Sequence, residues 1–240
     1  MKTTDVNYLA LKKSLWYPFH WCYDVQVSGK ENFDGLDEWK RIHDVPSKGG
    51  IIVSNHKSFI DHFAIIAGLG KESFIHFVAI DYNRVNSGSI QASLFNKLYK
   101  RTGQVVLPRK RLGRDGYETM RQSIQKIIEQ DRYVVVYPEG RINSGEDLGR
   151  FQLGAAHTAY GLHAALIPIR LEGVSDVWPH HGRLKLSGEM RIKVGMPINP
   201  RDPQYNGGKI GLVTTGVERI KIARTLTEVV RNEIERLGTP

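Results

Sequence analysis

His56 and Asp61 offer the first chemistry in this sequence. They bound the last six residues of the run Asn55-His56-Lys57-Ser58-Phe59-Ile60-Asp61 and stand five positions apart. On one regular helix that spacing sets two side chains about 140° apart, and on a strand it points them to opposite faces. The two can meet only if the chain turns between them. Imidazole has an ordinary pKa of about 6.5, so it can take and return a proton near neutrality. A carboxylate bonded to its far ring nitrogen fixes the tautomer and stabilises the imidazolium. The pair has no protein nucleophile with an assigned place, so the proton to be taken belongs to a substrate hydroxyl or to water. A plainer reading stands beside this one: Asp61 caps a helix and His56 is a loop residue.

The elements that must position the pair can be read around it. Ile51 to Val53 is a β-branched run behind Gly49-Gly50, the pattern of a buried strand. The polar residues Ser54 to Ser58 end it, and the apolar stretch Phe63 to Leu69 predicts a helix that starts near Asp61. A carboxylate is favoured in such a first turn. A second strand pattern, Tyr133 to Tyr137, runs straight into Pro138-Glu139-Gly140-Arg141. Strand followed by polar turn therefore occurs twice, and in open α/β sheets sites gather beyond the carboxyl ends of strands.

Together these runs resemble the glycerolipid acyltransferase family, the one with the His-x4-Asp motif. The resemblance spans about residues 50–173. Asn55 to Asp61 is similar to the first family block. Gly103-Gln104-Val105-Val106-Leu107-Pro108-Arg109 resembles the second, although Pro108 stands where an acidic or polar residue is usual. Tyr137-Pro138-Glu139-Gly140-Arg141, followed by Phe151-Gln152-Leu153-Gly154-Ala155, resembles the third; Arg141 follows Gly140 directly, where many members interpose threonine. Ala165-Leu166-Ile167-Pro168-Ile169 is similar to the fourth. The resemblance implies that His56 is a general base oriented by Asp61. It implies that Arg109 and Arg141 hold acceptor phosphate, and that Gly140 lets the backbone come close. Glu139 then positions Arg141 or binds acceptor hydroxyls. Backbone N–H groups near the helix start at Asp61 are the natural oxyanion donors. The implied reaction moves a fatty acyl group from a thioester, acyl-CoA or acyl carrier protein, to a hydroxyl of a glycerol-phosphate or lysophospholipid acceptor, the alternative acceptor being a non-phosphate glycolipid or other lipid. It needs no metal and no cofactor beyond that co-substrate.

Composition narrows the setting. The 34 Lys and Arg against 25 Asp and Glu give a formal charge of +9 and a pI near 9.6. Such a balance suits an anionic membrane surface, nucleic acid or phosphate-bearing substrates. Cys22 is the one cysteine, so no internal disulfide forms, which fits a reducing compartment. No stretch approaches the roughly 20 apolar residues of a membrane span, and no secretory signal is expected. Residues 1–23 carry Lys12, Lys13, Trp16, Tyr17, Phe19, Trp21 and Tyr23. Trp and Tyr beside Lys is the composition of a membrane-interface anchor, or of a terminal segment packed on the domain by its aromatics. The expected setting is the cytoplasmic face of a membrane, peripherally bound.

The remaining pattern predicts strands over 24–29, 74–80, 104–107, 165–171, 183–186 and 190–194, and helices over 89–101, 116–130, 155–162 and 217–237. Residues 30–48 read as an exposed connection, and 142–150 as a polar loop able to move over a site. Strands alternate with helices in the middle and cluster later. That order predicts one α/β domain over 24–240, a mixed β-sheet flanked by helices on both faces. Two other functions fit parts of the chain: a metal-dependent hydrolase using His56, Asp61 and His62, and a basic lipid- or nucleic-acid-binding domain without catalysis. The family resemblance favours catalysis on lipid and no nucleic-acid partner.

Overall fold

In the computed structural model the chain runs β1 (Tyr23–Ser28), α1 (Lys30–Asp34), α2 (Leu36–Ile42), β2 (Gly50–Ser54), α3 (Asp61–Leu69), β3 (Ile75–Ile80), β4 (Val105–Leu107), α4 (Arg114–Ile128), β5 (Tyr133–Val136), α5 (Gly154–Leu162), β6 (Ala165–Glu172), α6 (Val174–Val177), β7 (Gly188–Val194), a 3-10 turn (Pro203–Tyr205) and α7 (Gly216–Arg236). The structure describes residues 9, 10, 17, 19–70, 74–80, 97, 101, 102, 104–107, 114–143, 145–179, 182–205, 208 and 215–239.

The strands form one sheet in the order β1-β7-β6-β2-β5-β3-β4. From β6 to β4 all neighbours are parallel. β7 runs antiparallel to β6, and β1 pairs parallel with β7. The sheet is mixed, as the sequence pattern predicts.

Each central strand is apolar on both faces because both faces are covered. Successive side chains of a strand point to opposite sides. Ile51 and Val53 of β2, with Val134 and Val136 of β5, pack towards Ile124 of α4, Ala159 of α5 and Leu226 and Val230 of α7. Ile52 and Val135 point the other way, towards Ala64 and Ile65 of α3 and towards Phe33 and Leu36. This explains why Ile51-Ile52-Val53 and Val134-Val135-Val136 read as continuous runs with no polar alternation.

Pro168 lies in the interior strand β6 without breaking it. Its carbonyl accepts from Gly195 N–H at 2.9 Å, and the β7 ladder begins only at the next residue, Ile169↔Val194. The missing proline N–H falls where pairing on that side is interrupted, between Ile169↔Val194 and the isolated bridge Leu166↔Ile198.

The structure corrects two expectations. Residues 30–48 are not merely an exposed connection: they hold α1 and α2, and Phe33, Leu36, Lys40 and Val45 are buried. Arg183-Leu184-Lys185-Leu186 alternates like a strand but is irregular and exposed. It joins no ladder: the Lys185 N–H is taken by Val177 O and its carbonyl by the Tyr23 hydroxyl. Most of 1–18, most of the expected helix 89–101, and residues 108–113 with Arg109 lie outside the described residues.

Candidate active site

β2 and β5 are neighbours, paired from Gly50↔Tyr133 to Val53↔Val136. The chain leaves β2 through α3, on one face, and leaves β5 through α5, on the other. Their two exit loops therefore meet beyond the carboxyl ends of the strands, at the point where the winding changes direction.

Asn55 fixes the first exit. Its side-chain amide donates to Leu171 O at 2.9 Å and accepts Leu171 N–H at 2.8 Å, adding a side-chain rung where β2 has ended. The chain then turns back on Asp61, and the turn brings together the two residues that regular structure would keep apart. His56 Nδ1 lies 2.8 Å from Asp61 Oδ2. The same oxygen accepts the N–H groups of Lys57 at 2.7 Å and Ser58 at 3.1 Å. Asp61 is 0% exposed at the start of α3, and the His56 side chain is 16% exposed. An ionised carboxylate can only accept, so Nδ1 holds a proton and the other ring nitrogen, Nε2, keeps its lone pair. Burial pushes the Asp61 carboxyl above its usual range; the His56 bond and the two backbone N–H groups pull against that rise.

The imidazole is also held by its face. The Tyr137 ring stacks on His56 at 4.1 Å between centroids, with 14° between planes. Tyr137 read as the end of a strand pattern and the first residue of the third family block, and no spacing argument links it to His56. His62, offered by the sequence as a metal ligand, packs edge-on to Tyr137 at 5.3 Å and against Phe77 at 4.3 Å. Desolvation, with a smaller contribution from nearby His56, pushes its pKa down to about 3, so His62 is neutral at physiological pH. Among the described residues no group of three His, Cys, Asp or Glu side chains is placed to hold a metal ion.

The second exit loop is built around Glu139. Its Oε1 accepts the His56 N–H at 3.1 Å. Its Oε2 accepts Gly149 N–H at 2.9 Å and Asn143 Nδ2 at 2.8 Å. Glu139 thus ties the two loops together, and both of its oxygens are engaged away from Arg141. Gly140 has φ of +67°, and a Cβ there would stand 2.7 Å from Gln152 Nε2. The positive φ is what favours glycine, since the Gln152 amide is the movable end of a side chain. The turn leaves Arg141 exposed.

Lys57 had no role in the sequence reading. Its buried ammonium donates to the carbonyls of Gly145, Glu146 at 3.4 Å and Asp147 at 3.3 Å, and the His56 carbonyl accepts Asn143 N–H at 2.7 Å. The loop 142–150 is therefore fastened to the His56 turn. Desolvation lowers the Lys57 pKa, opposed chiefly by the Glu139 carboxylate. The expected oxyanion donors need correction: the N–H groups of Lys57, Ser58, Ile60 and Asp61 all have partners within the turn.

A buried aspartate bonded to a partly exposed histidine, at the carboxyl ends of parallel strands in an α/β fold, is an arrangement chemically able to move a proton. The acyltransferase family model matches residues 24–172, and the chain belongs to that family. It is 26% identical over 163 residues to the probable 1-acyl-sn-glycerol-3-phosphate acyltransferase of Mycoplasma pneumoniae, covering 65% of this chain and 59% of that protein. It is 26% identical over 156 residues to the human 1-acyl-sn-glycerol-3-phosphate acyltransferase alpha, covering 65% of this chain and 52% of that protein. The chain thus matches little more than half the length of these relatives. The crystal structure of the 1-acyl-sn-glycerophosphate acyltransferase of Thermotoga maritima superposes with a TM-score of 0.62 at 19% identity, over 97% of this chain and 80% of that one. This likeness shows the fold. Among the described residues no helix is long and apolar enough to cross a membrane.

Proposed function

We propose that the protein transfers a fatty acyl group from an acyl thioester, on coenzyme A or acyl carrier protein, to a hydroxyl of a phosphorylated glycerol or lysophospholipid, at the cytoplasmic surface of a membrane. The observation that carries this reading is the 2.8 Å contact between His56 Nδ1 and the buried Asp61. It leaves Nε2 as the base and supplies a counter-charge for the imidazolium. As the acceptor oxygen forms its bond to the thioester carbonyl carbon, its proton passes to Nε2. Collapse of the tetrahedral intermediate breaks the C–S bond, and the leaving sulfur takes the proton back from the imidazolium. No acyl-enzyme forms, and the protein ends in its starting protonation state. The Tyr137 stack and the Asp61 bond hold the ring for both transfers.

Arg141 is the acceptor's phosphate ligand in this reading. It is exposed on the loop that Asn143 bonds to the His56 turn, the Glu139 oxygens are engaged elsewhere, and a planar fork suits phosphate. Arg109 is proposed as the second arm. Glu139 acts indirectly, by fixing the His56 turn. Substrates of the named relatives point the same way. The test is a transfer assay with one acyl thioester against a panel of acceptors: lysophosphatidic acid, glycerol 3-phosphate, a lysophospholipid and a neutral glycolipid. Turnover of phosphorylated acceptors above the neutral one supports the reading. Preference for the neutral acceptor overturns the role of Arg141, and thioester hydrolysis without any acceptor product overturns the transfer.

A further inference from the structure

Arg183-Leu184-Lys185-Leu186 is the part of the chain whose sequence and structure agree least. The alternation is that of a half-buried strand, yet residues 182–189 are all exposed, with Leu184 at 41% and Leu186 at 77%. The leucines are not loosely placed. Between them Lys185 donates its N–H to Val177 O at 2.9 Å and accepts the Tyr23 hydroxyl on its carbonyl at 2.8 Å. Both backbone groups of Lys185 are spent on the body of the protein, and the flanking leucines are displayed to solvent.

The sheet register shows what lies beside them. β1 and β7 are parallel neighbours, with Tyr23 opposite Gly188. Trp21 and Leu186 each stand two residues before that pair, so the two chains approach the sheet side by side from one end. Trp21 is 89% exposed, whereas Phe19, on the other side of the segment, packs on Tyr23 at 4.8 Å and Phe63 at 6.4 Å. The end in question is the end that carries the site. β7 starts where β6 finishes, at Glu172↔Arg191, and β2 finishes alongside this end of β6, at Ser54↔Ile169. The His56 turn is tied to this corner directly, through Ser58 Oγ donating to Trp178 O at 2.6 Å.

Single exposed leucines are ordinary. Here a tryptophan and two leucines project from one edge, interleaved with Arg183 and Lys185. Apolar side chains that enter the acyl boundary, among cations that meet anionic headgroups, are the chemistry of an interfacial anchor. The acidic Glu189 nearby is paired with Arg191 at 2.6 Å.

We infer that Trp21, Leu184 and Leu186, with Arg183 and Lys185, form a surface that enters an anionic bilayer and sets the mouth of the His56 site against it. This deepens the proposed reading by naming where the protein meets its lipid. The surface includes an element far in sequence from the N-terminal aromatics.

The experiment measures partition of the full 240-residue chain onto phosphatidylcholine vesicles with and without phosphatidylglycerol, by sedimentation. Removing two interfacial leucines in Leu184→Ser/Leu186→Ser lowers partition by about tenfold. Arg183→Gln/Lys185→Gln lowers partition onto the anionic vesicles, removes part of its salt dependence, and leaves the neutral vesicles unaffected. All variants keep the wild-type melting temperature and turn over a short-chain, water-soluble acceptor at the wild-type rate. Unchanged partition in both variants overturns the inference. So does a shift from dimer to monomer with unchanged vesicle binding, which makes the patch a contact between copies. Equal loss of turnover on the soluble acceptor also overturns it, by placing the leucines in the reaction site. Partition that falls as expected in a protein that acylates no acceptor upholds the surface and sinks the proposed reaction alone.

Discussion

Glu139 Oε1 accepts the backbone N–H of His56 at 3.1 Å, across 83 positions of sequence. The bond joins the exit loops of two neighbouring strands and sets the height of the base above the sheet. The other carboxylate oxygen receives two donors from the loop after it. Glu139→Gln places an amide NH2 against at least one of these N–H groups. Charge-assisted bonds of this kind are worth about 1.5–3 kcal/mol each. The variant is expected to lower the melting temperature and to reduce kcat by about tenfold or more through a displaced His56. Leaving kcat unchanged while raising KM for the acceptor would place Glu139 on the substrate instead.

His56→Ala removes the base and is expected to cost roughly a hundredfold to ten-thousandfold in turnover, the usual worth of general base catalysis. His56 is partly exposed, so thermal stability should change little. Asp61→Asn should be as severe, because the amide neither fixes the reactive tautomer nor stabilises the imidazolium. It should also lower stability, since Asp61 Oδ2 serves three donors. Near-wild-type steady-state rates in both variants would sink the mechanism.

Arg141→Ala is expected to raise KM for a phosphorylated acceptor by about ten- to a hundredfold, the worth of one or two charge-assisted bonds. The thioester KM should stay within about twofold, because one guanidinium serves one substrate in this reading. Arg141→Lys should already weaken the acceptor. A rise confined to the thioester would move Arg141 to the donor's phosphates.

His62 makes a pH prediction with a definite sign. Its pKa falls from an ordinary 6.5 in the unfolded chain to about 3 in the folded one. The unfolded state therefore binds the extra proton, and stability is full above pH 6.5 and is lost as pH falls towards 3. Between pH 7 and pH 5 the loss from this group is about 2 kcal/mol. His62→Phe, which keeps an aromatic ring against Phe77 and Tyr137, should flatten the urea-unfolding free energy over that interval by a similar amount. An unchanged slope would mean that His62 is not held neutral.

Lys57→Met keeps the apolar stem and deletes the ammonium that three loop carbonyls receive. The backbone amides around Gly145 to Gly149 should exchange hydrogen faster, while those of β2 and β5 stay protected. Because Arg141 opens onto this loop, KM for a phosphorylated acceptor should rise. Uniform loss of protection across the sheet would show Lys57 supporting the fold as a whole.

The sequence by itself determined what is local or periodic. The buried strands at Ile51 to Val53 and Val134 to Val136, the helix after Asp61, α4, α5 and α7, and the mixed sheet between helix layers all follow from apolar periodicity and turn residues. The need for a turn between His56 and Asp61 was also legible, because no regular element brings residues five apart face to face. Tertiary structure alone decided the rest. That Tyr137 stacks on His56, that Glu139 grips its N–H, and that Lys57 clamps a loop some 90 residues away depend on β5 lying beside β2, and strand order is not encoded in the period of either strand. The failure at Arg183 to Leu186 has the same cause. Alternation makes a segment suited to a strand, but here the backbone of Lys185 is taken by Val177 O and the Tyr23 hydroxyl, contacts that only the folded chain brings within reach.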